Sequence, residues 1–279
     1  MPLTHLATRR AFHASTFALA LTLAGCAAPP GKAPDRTQVT APTAQPQPEP
    51  PGRVIFLGFA LHSQAKAFRN DVLLAEKLAS SIDPKALRIK MANPAPGQPA
   101  DWPQATVENF TLAMNKTAEV ARPQDRVLVF IAAHSNPGVL NVMVDGKHRH
   151  PITPQILSDA LAPLAARQVP TLVVLSACYS GAFVEPLKAP HRVVLTATDA
   201  RSASFRCQYP GEYTPFAEAL FGQAAIGLPV TAWMAAAQQA VAAQEQRRKL
   251  PPSKPQIFVG DEARGWASQP LGQWLAAPR

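Results

Sequence analysis

The chain has 279 residues, 47% hydrophobic and 16% charged, enough to bury one sizeable core and incompatible with disorder throughout or with a coiled coil. Three cysteines without a C-x-x-C pair exclude a disulfide scaffold and a zinc knuckle. The net charge of +9 is scattered, with no long Lys/Arg run and no interleaved aromatic stripe, so no nucleic-acid partner is expected.

Residues 1–25 read as an address. Arg9-Arg10 precede an apolar run from Ala14 to Ala24, and no acidic residue occurs before Asp35. Eleven residues are too few for a membrane-crossing helix, which needs ~20, but they suit the apolar region of a secretion signal. Leu23-Ala24-Gly25-Cys26 resembles a bacterial lipobox, which implies cleavage before Cys26 and lipidation of that residue. Thr8-Arg9-Arg10-Ala11-Phe12 also resembles a twin-arginine export signal. Ala27 rather than aspartate follows the cysteine, which by the same resemblance points to the outer membrane, facing the periplasm. Residues 26–52 hold eight of the 30 prolines, with much Ala, Gln and Thr, and read as an extended tether.

Residues 53–279 read as one α/β domain. Val54–Phe59 is a continuous apolar run, as for a strand covered on both faces. A helix is expected over 69–82, a half-exposed strand over 87–91, and a helix marked by Val107, Phe110, Met114 and Ala118. Residues 127–133 form a second buried strand, followed by a hairpin around Asp145-Gly146. Thr153-Pro154 starts a helix, with threonine as cap and proline at the first position. Val173-Val174-Leu175 and Val193-Val194-Leu195 are further buried strands, and helices are expected over 215–225 and 230–246. This alternation predicts a mostly parallel central sheet flanked by helices.

Reactive groups in such sheets gather at the carboxyl ends of the strands. Two strands end on such groups: 127–133 runs into His134-Ser135-Asn136-Pro137-Gly138, and 173–177 into Cys178-Tyr179-Ser180-Gly181. Neighbouring strands would bring them to one rim, although they stand 44 residues apart. A free thiol, with pKa near ~8.5, is a poor nucleophile at neutral pH, and a nearby imidazole can take its proton. Backbone N–H groups in the two turns could hold the developing oxyanion. Each residue also has a plain reading, buried cysteine as packing and strand-end histidine as a surface group.

The stretch Val174-Leu175-Ser176-Ala177-Cys178-Tyr179-Ser180-Gly181-Ala182-Phe183, with a strand-borne histidine upstream, resembles the legumain (asparaginyl endopeptidase) family of cysteine peptidases, in its bacterial lipoprotein branch. The likeness extends through 195–207 and 255–260, and to His62-Ser63-Gln64-Ala65 and Phe68-Arg69-Asn70. It implies a caspase-like sandwich, Cys178 as nucleophile, His134 as general base and then acid, and backbone amides of Ser135 and Cys178 as oxyanion hole. Family enzymes carry glycine where Ser135 stands, and serine does not readily take a positive φ. The substrate pocket would involve His62, at the position of the family's arginine, Tyr179 and Glu218, at or near its acidic positions, and Ser202, Ser204 and Phe205, in the segment that pairs with the substrate backbone. With His62 and Tyr179 in place of charged readers, asparagine specificity is not implied.

Cys207 is read as packing, with pairing to Cys178 the alternative in an oxidising compartment. His148 and His150 flank Arg149 as solvent-exposed residues, Asp125 and Asp145 as strand-end and turn formers, and Trp233 and Met234 as core. No metal or organic cofactor is implied, and the oligomeric state is open. The expected activity is cleavage or transfer at peptide bonds in a protein or peptide substrate, by an enzyme held to the membrane through Cys26. The alternative is an idle domain of the same fold that binds a partner at the envelope. An α/β-hydrolase is excluded by residue order, since its histidine follows the nucleophile.

Overall fold

A strand with no polar side needs cover on both faces, and β1 (Val54–Ala60) is buried at all seven residues. Val54, Phe56 and Ala60 point into one hydrophobic layer, and Ile55, Leu57 and Phe59 into the other. Gly58 lets helix α1 (Lys66–Ile82) come close, because a Cβ there would stand 2.5 Å from Val72 Cγ1. Helix α1 starts three residues earlier than expected, because Phe68 carries the apolar stripe of Val72, Ala75, Leu78 and Ala79 back by one turn. The computed structural model describes residues 51–276 apart from 64–65, 205–210 and 223–225. The readings of the signal, of Cys26, of most of the tether, and of Phe205 and Cys207 lie outside these residues. Among the described residues no helix is long and apolar enough to cross a membrane.

Strand β2 (Leu87–Ala92) is exposed at its first residues and buried at its last. Helix α2 (Val107–Val120) is capped by the Thr106 side chain and buries Phe110, Met114 and Ala118. After β3 (Arg126–Ala132) come β4 (Ser135–Asn136) paired with β5 (Val139–Leu140), and β6 (Met143–Val144) paired with β7 (Lys147–His148). The second pair is the expected hairpin, with positive φ at both Asp145 (51°) and Gly146 (71°), as a two-residue turn of this kind requires. Helix α3 (Pro154–Ala166) is capped by Thr153 and has Pro154 at its start. Then follow β8 (Thr171–Ser176), β9 (Arg192–Thr196), α4 (Pro215–Phe221), α5 (Val230–Arg247), β10 (Gln256–Val259), α6 (Arg264–Ala267) and α7 (Leu271–Leu275). Helix α4 has Gly222 as its C-cap, and residues 223–225 of the expected helix lie outside the described residues.

The strands form one six-stranded sheet in the order β10-β9-β8-β3-β1-β2, parallel except for antiparallel β10. Helices α1, α4 and α5 cover one face, and α2 and α3 the other. Trp233 and Met234 are core, as expected. Asp125 does more than solvate a strand end. Its buried carboxylate accepts from the backbone N–H groups of Arg53 and Arg122 and pairs with the Arg122 guanidinium at 2.8 Å, clamping the starts of β1 and β3. Burial works to raise its pKa, but these donors outweigh it and hold it below the usual range.

Candidate active site

Parallel β3 and β8 are adjacent, with Ala132 opposite Ser176, so their carboxyl ends share one rim. The ladder runs one step further, from Ala133 N–H to the Ser176 carbonyl at 3.2 Å. His134 and Cys178 then each leave two residues beyond the last paired position. The turns are tied together, because the Ser135 hydroxyl donates to the Cys178 carbonyl. Ser135 is not among the residues of positive φ; that conformation falls at Gly138 (77°). A serine therefore fits this turn, and its hydroxyl adds a cross-link that glycine lacks.

The His134 ring is oriented by packing. It meets His62 edge-on at 4.5 Å and Phe68 of α1 at 4.9 Å between ring centroids. Burial holds the His134 pKa below the ordinary histidine value, so the ring is neutral at neutral pH and able to accept a proton. His62 is pushed down to about 4, first by burial and then by repulsion from His134 and His148. His148 and His150 themselves are exposed.

Cys178 enters a strained elbow. Tyr179 lies in the left-handed region (φ 53°, ψ 18°), an outlier that a tyrosine adopts only when its surroundings impose it. Its N–H donates to the Ser202 carbonyl at 2.9 Å, and a 3₁₀ turn, Ser180–Phe183, follows. Ser180 and Thr198 exchange hydrogen bonds, with Ser180 N–H to Thr198 Oγ1 at 2.9 Å and Thr198 N–H to Ser180 Oγ at 3.2 Å. Gly181 is required by close approach, since a Cβ would stand 2.5 Å from the Asp199 carbonyl carbon. Gly181→Ala is therefore expected to destabilise the fold by about 1–3 kcal/mol, read as a lowered denaturant midpoint with unchanged slope. Cys178 Sγ accepts the Ser204 N–H at 3.3 Å. Cys178 is disulfide-bonded, and the other half of the bridge lies outside the described residues.

Helix α1 holds the far end of this region as well. Asp71, fully buried, accepts the Thr214 N–H on Oδ1 at 3.0 Å, and Asn70 Nδ2 donates to the Glu212 carbonyl at 2.8 Å. Thr214 caps α4, and its hydroxyl is hydrogen-bonded to Ser176 Oγ at 2.9 Å, two residues before Cys178. One helix thus contacts His134 through Phe68 and the 212–214 segment through Asn70 and Asp71. Burial drives the Asp71 pKa up to about 8; the Thr214 hydrogen bonds oppose this, and Glu218 of α4 adds to it. Asp71 is therefore protonated in the fold but ionised in the unfolded chain over the range from about 4 to 8, and its contribution to stability is lost as pH rises through that range. Asp71→Asn is expected to flatten this slope and to exceed the wild type in stability at pH 8.5 by on the order of 2 kcal/mol, measured by denaturant melts across pH.

Of the residues expected at the site, His134, Cys178, Ser135, His62 and Ser204 are brought together, and Tyr179 and Ser202 form the elbow around Cys178. Glu218 stands exposed on α4 and lines neither cavity beside His134. Asp71, Ser176 and Thr214 were not singled out in the sequence. The signal for Asp71 was an acid standing between Phe68 and Val72 on the apolar face of α1.

A histidine and, later in the chain, a cysteine thus stand just beyond the adjoining ends of two parallel strands. The family model described as "Peptidase C13 family" matches residues 98–245, which include both side chains. The chain belongs to the Peptidase C13 family, the legumain family, and is a cysteine peptidase. No protein of curated function matches it in sequence. Among solved structures it is similar to caspase-1 from Spodoptera frugiperda, with 16% identity and a TM-score of 0.49 over 75% of this chain and 86% of that one.

Proposed function

We propose that the reduced protein cleaves or transfers peptide bonds through a Cys178/His134 dyad, with its domain tethered to the envelope by lipid on Cys26. The observation that carries this is the Ser135–Cys178 cross-link, which holds the turn after the histidine against the turn that contains the cysteine. His134 takes the thiol proton while Sγ attacks the carbonyl carbon, and the resulting oxyanion is held by the backbone amides of Ser135 and Cys178. Collapse expels the amine, which receives its proton from His134, and leaves a thioester on Cys178. Water or a second amine, deprotonated by His134, attacks the thioester and releases the thiol. The lowered His134 pKa suits the first step, and it places the acid limb of the cleavage rate below about pH 6.5.

A disulfide sulfur cannot perform the attack, so activity is expected only after reduction. Incubation of the full chain with a peptide library should give no cleavage without a dithiol reductant and cleavage with it, and Cys178→Ala should give none in either case. Cleavage that persists in Cys178→Ala would refute the dyad. The disulfide also favours a second reading, in which the oxidised chain acts as an envelope binding domain at the outer membrane, facing the periplasm. An oxidising compartment is where such a bridge persists. Peptide binding without turnover in both redox states would support that reading instead.

A further inference from the structure

Two cavities lie beside the dyad, and they differ in size and in which residues line them. The larger, about 480 Å³, is lined by His62, Lys66, Arg69, Asn93 and Asp101, and receives no atom from the turns that carry His134 and Cys178. The His62 ring stands between it and His134. The smaller is lined by Ala133 and Ala177, the residues directly before the two reactive side chains, with Ser204, whose N–H meets the sulfur, and Phe68, Ser176 and Thr214. When Sγ bonds the carbonyl carbon, the side chain of the residue bearing that carbonyl begins two bonds away, at Cβ. The small cavity, bordered by the neighbours of both reactive residues, is therefore the nearer of the two to that side chain.

Resting on the reading of Cys178 as nucleophile, we infer that this small cavity is the subsite for the residue before the scissile bond, and that it selects glycine and alanine. Its room is about 10 Å³, about that of one water-sized group, and so of a methyl group. Two of its three lining hydroxyls are spent on each other. The Ser176 and Thr214 hydroxyls are hydrogen-bonded together, and Thr214 Oγ1 also accepts the Ala217 N–H. Among the described residues only the Ser204 hydroxyl is left to meet a polar side chain, not the pair of groups that reads a carboxamide or carboxylate, and larger side chains overpack against the Phe68 ring. Phe68 is buried, with its ring packed edge-on against His134.

The test is a peptide set that varies only the residue before the cleaved bond, assayed as kcat/KM with reduced full-length protein. Glycine or alanine is expected to exceed leucine, asparagine and aspartate by about 10- to 100-fold. Phe68→Ala should narrow that ratio by admitting leucine, and Phe68→Leu supplies a milder enlargement should the alanine variant fail to fold. Because the ratio is taken within one enzyme, a general loss of activity from disturbing His134 does not affect it. Cleavage after bulky residues at equal efficiency would overturn the subsite while leaving the peptidase intact. Absence of cleavage for every peptide, with Cys178 shown to be reduced, would overturn the subsite together with the dyad.

Discussion

Cys178→Ala is expected to abolish peptide cleavage by the reduced protein, a loss of at least about 10,000-fold, while the fold survives. The change removes the sulfur that attacks the carbonyl carbon and would carry the thioester. Cys178 is 5% exposed at the end of a strand, and alanine fits its backbone and most of its volume. Loss of the sulfur costs stability on two counts, the bridge and the Ser204 contact. A thermal melt of the reduced protein, in which the bridge is absent from both forms, separates that effect from chemistry. The account expects similar melting points for the reduced wild type and variant, and turnover only in the former.

His134→Ala is expected to lower kcat/KM by about 100- to 10,000-fold, with most of the loss in kcat. The imidazole acts on the proton in flight and contributes little to holding the peptide. The residual rate should rise with pH toward the ordinary thiol range, because hydroxide then produces the thiolate that His134 no longer generates. The change also removes the ring on which His62 and Phe68 rest. His134→Gln retains much of that packing without the base, and it should show the same kinetic loss.

The architecture was legible where one element carries its own pattern. The unbroken runs of β1, β3 and β8, the stripe of α1, the Thr153-Pro154 start of α3 and the Asp145-Gly146 turn all depend on neighbours in sequence. So did the placing of His134 and Cys178, because a parallel sheet sends every strand's carboxyl end to one rim. What was not legible depends on distant partners. β10 is only four residues, Gln256–Val259, without a fully buried position, and its pairing with β9 defines it. The two-residue strands β4 and β5 are too short to leave a pattern. The left-handed Tyr179 is imposed by Ser202 and Thr198, about 20 residues away. The link from Asp71 through Thr214 to Ser176 joins three elements, none of which announces the others. The cost of placing glycine or serine after His134 could not be judged until the Cys178 carbonyl was seen to receive the Ser135 hydroxyl.

The most direct test of the dyad is the second-order rate at which iodoacetamide alkylates Cys178 in the reduced chain, followed by mass spectrometry from pH 5 to 9. With His134 as partner, alkylation at pH 6.5 should run at least about tenfold faster than for a model thiol of pKa near ~8.5, and His134→Ala should remove the excess. A Cys178 that reacts like an ordinary thiol at every pH, with the same profile in His134→Ala, would contradict the account.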